Sequence, residues 1–146
     1  MNELNEAEVL LDAANRDLNA LLGMLQVEKL FSDEIFGQHV QQAVEKALKA
    51  WLVILGETYP RTHNLSTLCH HLEELDCDVS DCWRLTDFTP FSSQFRYEAL
   101  ISDKEPIDRK GTITQVQRLY STVKTALKAI QSAKETDNQE GSDENC

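Results

Sequence analysis

The amino-acid sequence predicts an all-α protein, a single-domain up-and-down bundle of about five helices, and three observations carry that prediction. Apolar residues recur at three- and four-residue steps in every strong segment. No segment alternates apolar and polar residues over five or more positions, and the 146 residues include only five Gly and three Pro. A chain of this length suits one domain, which buries about 70% of the surface exposed by its unfolded form without help from disulfides or metal.

The first helix is expected from Leu4, with Asn5 and Glu8 at capping spacing and Ala7, Leu11, Ala14, Leu18, Leu21 and Leu25 on one stripe. A second, longer helix is expected from Ser32, whose hydroxyl caps it while Asp33 and Glu34 face the positive end of its dipole. Phe36, Val40, Ala43, Ala47, Trp51 and Ile54 form its buried side, Gly56 falls where a C-cap belongs, and Tyr59-Pro60 stops continuation. Asn64 caps a short third helix carrying Leu65, Leu68, Leu72 and Leu75, and DCDVSDC then reads as a loop. A fourth helix from Ser80 takes in Trp83 and Phe88 and breaks at Pro90, with a new turn from Thr89 bringing Phe91 and Phe95 to the core. After the breaker-rich SDKEPIDRKG, a last helix starts around Thr112, with Gln115 at capping-box spacing and Ile113, Val116, Tyr120, Val123, Leu127 and Ile130 as its apolar face. The domain therefore covers residues 1–134. Residues 135–146, with five acids and no base, are expected as a disordered acidic tail.

Charge narrows the function classes. The formal net charge is −11, and a sequence pI near 4.7 argues against general DNA binding. Its distribution is uneven: residues 109–134 hold six bases and no acid, whereas residues 1–34 hold eight acids against two bases. The last helix is thus a basic island, suited to RNA or an acidic partner, or to packing beside the acidic first helix. No leader precedes a long apolar run and no uncharged stretch reaches the about 18 residues that a bilayer requires, so a cytoplasmic protein without membrane association is expected. Cys69, Cys77, Cys82 and Cys146 then read as reduced, inert thiols.

Three polar sets bear on chemistry. Gln41, Gln42, Glu45, Lys46 and Lys49 lie on the second helix, the last four projecting away from the Trp51 stripe with Glu45 and Lys49 at i,i+4 spacing, a pattern that fits a solvated face or a dimer seam. In the turn YPRTHNL, Arg61 and His63 would offer a cationic fork and a titratable ring to a phosphate near a helix start, or His63 would lock two helices together. His63, Cys69, His70, His71, Cys77 and Cys82 lack the paired spacing of a zinc site, so no metal and no other cofactor is expected. Hydrolase, P-loop and dinucleotide motifs are absent.

The runs QQAVEKALKAWL and YPRTHNL, followed by LTDFTPFSSQFRYE, resemble in order and spacing the HEPN domain, a family named for its occurrence in higher eukaryotes and prokaryotes and for nucleotide binding. The resemblance spans roughly Leu4 to Ile130. It implies a five-helix bundle that forms a homodimer, and a small nucleotidyltransferase as partner in a two-component system of toxin–antitoxin type. Some members are metal-independent RNases that use an Arg followed four to six residues later by a His. Here His39, His63, His70 and His71 have no Arg at that distance upstream, and Arg96-Tyr97 has no His downstream. The resemblance therefore implies a non-catalytic protein with no catalytic residue, in which Lys46, Lys49, Arg61, His63 and Arg96 are the nucleotide-binding candidates and Gln42, Glu45 and Tyr97 support them. An RNase toxin with a displaced site, His63 with Arg61 or Arg96, and a purely structural interaction module are the alternatives.

Overall fold

Four α-helices and two 3₁₀ segments, with no strand among them, make up the described residues of the computed structural model, 3–92 and 106–143. Helix α1 spans Glu3–Gln26 and buries Leu4, Ala7, Leu11, Ala14, Leu18 and Leu21, the stripe that its spacing dictates. Met24, three residues after Leu21, completes that stripe, and Leu25 is only half-buried. A 3₁₀ turn, Glu28–Leu30, leads to Ser32, whose Oγ accepts the Ile35 N–H at 3.2 Å and starts α2, Asp33–Ile54.

Helix α2 is the axis of the molecule. Besides the expected stripe it buries Val44, Leu48, Leu52 and Val53, because α1, the last helix, α3 and the second 3₁₀ segment all pack on it. Each such aliphatic side chain withdrawn from water stabilises the fold by about 1.5–3 kcal/mol before entropy is counted. The helix ends where Gly56, at φ 80°, lets its own N–H reach Val53 O and the Glu57 N–H reach Leu52 O, the two bonds of a Schellman motif. Helix α3, Leu65–Glu74, begins at Asn64, whose Oδ1 accepts the N–H groups of Ser66 and Thr67. It closes by the same two bonds, from Asp76 and Cys77, but with the non-glycine Asp76 at φ 64°.

The expected fourth helix is instead a 3₁₀ segment, Trp83–Phe91, with Pro90 inside it. Pro90 supplies no N–H for the last turn, and the tighter winding buries only Leu85 and Phe91 while Trp83 and Phe88 remain half-buried. Phe91 lies against α2 where residue 37 is glycine. A Cβ there would overlap its ring, three atoms of which would all lie under 3.0 Å away. Phe95 lies outside the described residues.

Helix α4, Arg109–Asp143, starts ahead of the expected Thr112. Its cap is Asp108, whose Oδ1 accepts the Gly111 N–H at 3.1 Å, so Thr112 is a buried residue of the first turn. At the other end the helix runs on through Asp143, so part of the stretch expected as a disordered tail is helical, and its side chains from 132 to 137 are exposed. Leu119 is buried in α4, whereas Tyr120 and Ile130 are half-buried.

Polar contacts fix the helix directions. Tyr59 Oη, just after α2, donates to Glu6 near the start of α1, and Lys46 reaches Asp17, so α1 and α2 are antiparallel. Arg109 reaches Asp33 and Gln131 donates to Glu8, so α4 runs with α2 and against α1.

Candidate functional site on α2

A four-residue step places Gln41, Glu45 and Lys49 on one ridge of α2, with Gln42 and Lys46 on the next row. The ridge is covered rather than solvated. Gln41 is fully buried and Glu45 is 6% exposed, because the chain returning from α2 to α3 crosses above them. That crossing brings His63 to the ridge, where its Nδ1 lies 2.8 Å from Glu45 Oε1. The same oxygen accepts Gln41 Nε2 at 2.7 Å, and Oε2 accepts Lys49 Nζ at 3.1 Å. Gln41 Nε2 also approaches the His63 carbonyl at 3.4 Å, while its Oε1 accepts Gln42 Nε2 at 2.7 Å.

Burial alone would push the Glu45 carboxyl pKa up, but the hydrogen bonds from His63, Gln41 and Lys49 and the Lys49 charge outweigh it and hold the pKa below the usual glutamate value. Glu45 is thus a carboxylate, which only accepts, so His63 Nδ1–H donates to it and Nε2 is the ring nitrogen left for another partner. No partner meets Nε2 among the described residues, and the His63 side chain is 43% exposed. A carboxylate bonded to Nδ1 in this way fixes the orientation of the imidazole and turns Nε2 outward. It can hold a donor or move a proton.

The other candidates divide sharply. Lys46 Nζ lies 2.7 Å from Asp17, whose second oxygen meets His39 Nδ1 at 3.1 Å. Lys49, besides its pair with Glu45, has its ammonium 5.2 Å from the centroid of the Tyr59 ring. Both lysines are therefore neutralised within the bundle. Arg61 is exposed and without a partner among the described residues. Arg96 and Tyr97 lie outside the described residues.

Two participants escaped sequence reasoning. Asp17 is three residues after Ala14 and four before Leu21, so its place at the edge of the α1 stripe was the available signal. Arg109 was counted only as part of the basic island, yet it donates to Asp33 Oδ1 from Nε and Nη2 at 3.2 and 3.0 Å and to the carbonyls of Glu28 and Phe31. Its guanidinium also lies 5.2 Å from the centroid of the Phe36 ring, so it joins the start of α4 to the start of α2.

The cysteine and histidine set does not converge. His70 meets Trp83 edge-on at 4.8 Å between centroids, and His71 lies 3.7 Å from Glu57. Burial pushes the Cys69 thiol up to about 12 and the Cys82 thiol up to about 11, which keeps both protonated. Among the described residues no group of three or more His, Cys, Asp or Glu is placed to hold a metal ion, and no helix is long and apolar enough to cross a membrane.

The chain matches no curated protein and no solved structure. The family model described as HEPN domain matches residues 7–136, from within α1 to the exposed part of α4, so the bundle and its Gln41–Glu45–His63 ridge fall inside the matched span and the chain belongs to the HEPN domain family.

Proposed function

We propose that this chain is a non-catalytic HEPN protein, a homodimer that binds a nucleotide and serves as accessory partner of a small nucleotidyltransferase in a two-component system of toxin–antitoxin type. The observation that carries the reading is the combination of a HEPN bundle with no Arg-x4–6-His motif. Without that motif the chain lacks the paired general acid/base and phosphate-holding Arg by which the metal-independent RNases of the family cleave RNA. Arg61 and the outer edge of His63 are the contacts the turn offers a nucleotide, with Lys46 and Lys49 held back by Asp17 and Glu45. Leu30, 75% exposed, and Val27 lie in an open groove at the α1–α2 corner and give a second copy apolar surface to bury.

Native co-purification of the tagged protein, with mass spectrometry of the partners and light scattering for molar mass, tests the proposal. A nucleotidyltransferase recovered in fixed ratio with a dimer supports it. A chain recovered without such a partner, and with no nucleotide affinity or one unchanged by Arg61→Ala and His63→Ala, reduces it to a structural module.

One observation favours a second reading, an RNase toxin with a displaced site: Glu45 orients His63 as a general base would be oriented, with Arg61 two residues upstream. RNA cleavage that persists in a chelator and disappears in His63→Ala would put this reading first.

A further inference from the structure

Besides Arg61 beside the α2 ridge, two further uncommitted arginines come together on another side of the molecule. Arg84, on the 3₁₀ segment, and Arg118, on α4, line a cleft of about 280 Å³ together with Ser80, Asp81 and Gln115. Neither arginine makes an ion pair or hydrogen bond through its side chain among the described residues, whereas Lys46, Lys49 and Arg109 are all committed to carboxylates. Gln115 and Arg118 are three residues apart and so share one face of α4 within the acid-free segment 109–134. A smaller space of about 40 Å³ against Trp51 adjoins the cleft and shares Asp81, Gln115 and Arg118 with it. Trp51 and Glu45 are six positions apart on α2, or about 120° around its axis, which separates this cleft from the His63 site.

We infer that the cleft between the 3₁₀ segment and α4 binds a small phosphorylated hydroxyl compound, of the nucleoside monophosphate or sugar phosphate class. Two guanidinium groups approaching from different elements match the oxygens of one phosphate, each able to donate two parallel N–H bonds. The Asp81 carboxylate accepts from hydroxyl groups and repels further negative charge, and the Gln115 amide can accept from a hydroxyl or donate to a phosphate oxygen. Ser80 already donates both its N–H and its Oγ–H to Asp78 Oδ1, so it shapes the rim rather than binding the phosphate. The volume, near the lower end of small-ligand pockets, and the net charge of −11 both oppose a long polyanion.

Titration calorimetry of the full chain with AMP, ribose 5-phosphate, adenosine and an oligouridylate tests the inference. AMP or ribose 5-phosphate should bind, adenosine should not, and Arg84→Ala/Arg118→Ala should weaken binding at least tenfold while keeping the thermal midpoint, since both side chains are exposed. Arg84→Lys, which keeps the charge and loses the fork, should fall between the two. Binding that is lost in Arg61→Ala or His63→Ala and unchanged in the double arginine variant overturns this site while leaving the proposed nucleotide role intact. Adenosine binding as well as AMP, an oligouridylate as the sole ligand, or no phosphate bound at millimolar concentration also overturns it.

Discussion

Glu45 shows how much one side chain can hold in place. Its two oxygens take hydrogen bonds from Gln41, Lys49 and His63, so the carboxylate joins α2 to the chain that returns over it. Glu45→Gln keeps the shape but removes the charge and sets an amide N–H against neighbouring donors; the expected loss is about 3 kcal/mol at neutral pH, read from urea midpoints. Because the folded pKa lies below the ordinary value of 4.5, the stability from this group is fully present above that value and disappears as pH falls through the folded pKa. The gap between wild type and Glu45→Gln should therefore narrow as pH falls below about 4.5. A gap that does not change down to pH 3 would contradict the charged state assigned to Glu45. The sequence identified the residues of this ridge, since i,i+4 spacing and the HEPN-like run both point to them. It did not show that the ridge is covered: that depends on where residues 57–64 cross, a long-range placement that local pattern does not encode. For the same reason Asp17 stayed invisible as the partner of Lys46, 29 positions away.

At the scale of the element, the two Schellman endings of α2 and α3 make a natural comparison. Both need a residue with positive φ just past the helix, and α2 has Gly56 where α3 has Asp76. An L-residue in this conformation pays a steric cost that glycine avoids, softened but not removed for aspartate. Asp76→Gly should therefore stabilise the protein by about 0.5–1 kcal/mol, seen as a higher urea midpoint at unchanged slope. A lower midpoint would mean that the Asp76 carboxylate does something its backbone does not reveal. The helices with strong stripes and side-chain caps were legible: Ser32, Asn64 and Gly56 all stand where the pattern put them. Legibility failed at Trp83–Phe91, where aromatic spacing resembles a helix but Pro90 and close packing on Gly37 favour the tighter 3₁₀ form. It failed again at Asp108, an equally good cap lying one turn before Thr112, because composition alone does not rank two caps four residues apart.

Over the whole molecule, charge and burial disagree about where the domain ends. The apolar face of α4 ends at Ile130 and Gln131 donates to Glu8 of α1, yet the helix continues through Asp143. From 132 to 137 every side chain is exposed, so this part of α4 gains little from tertiary packing, and a helix without packing is marginal in water. Removing residues 135–146 takes away five acids and no base from a chain of net charge −11, and it relieves negative charge beside the negative end of the α4 dipole. The shortened chain should unfold within about 0.5 kcal/mol of the full one, slightly more stable at low ionic strength. That small gain should disappear in about 0.5 M KCl, where exposed charges are screened beyond a few ångströms. A loss of about 2 kcal/mol, unaffected by salt, would instead mean that the acidic segment packs on the bundle and that the domain extends past 134.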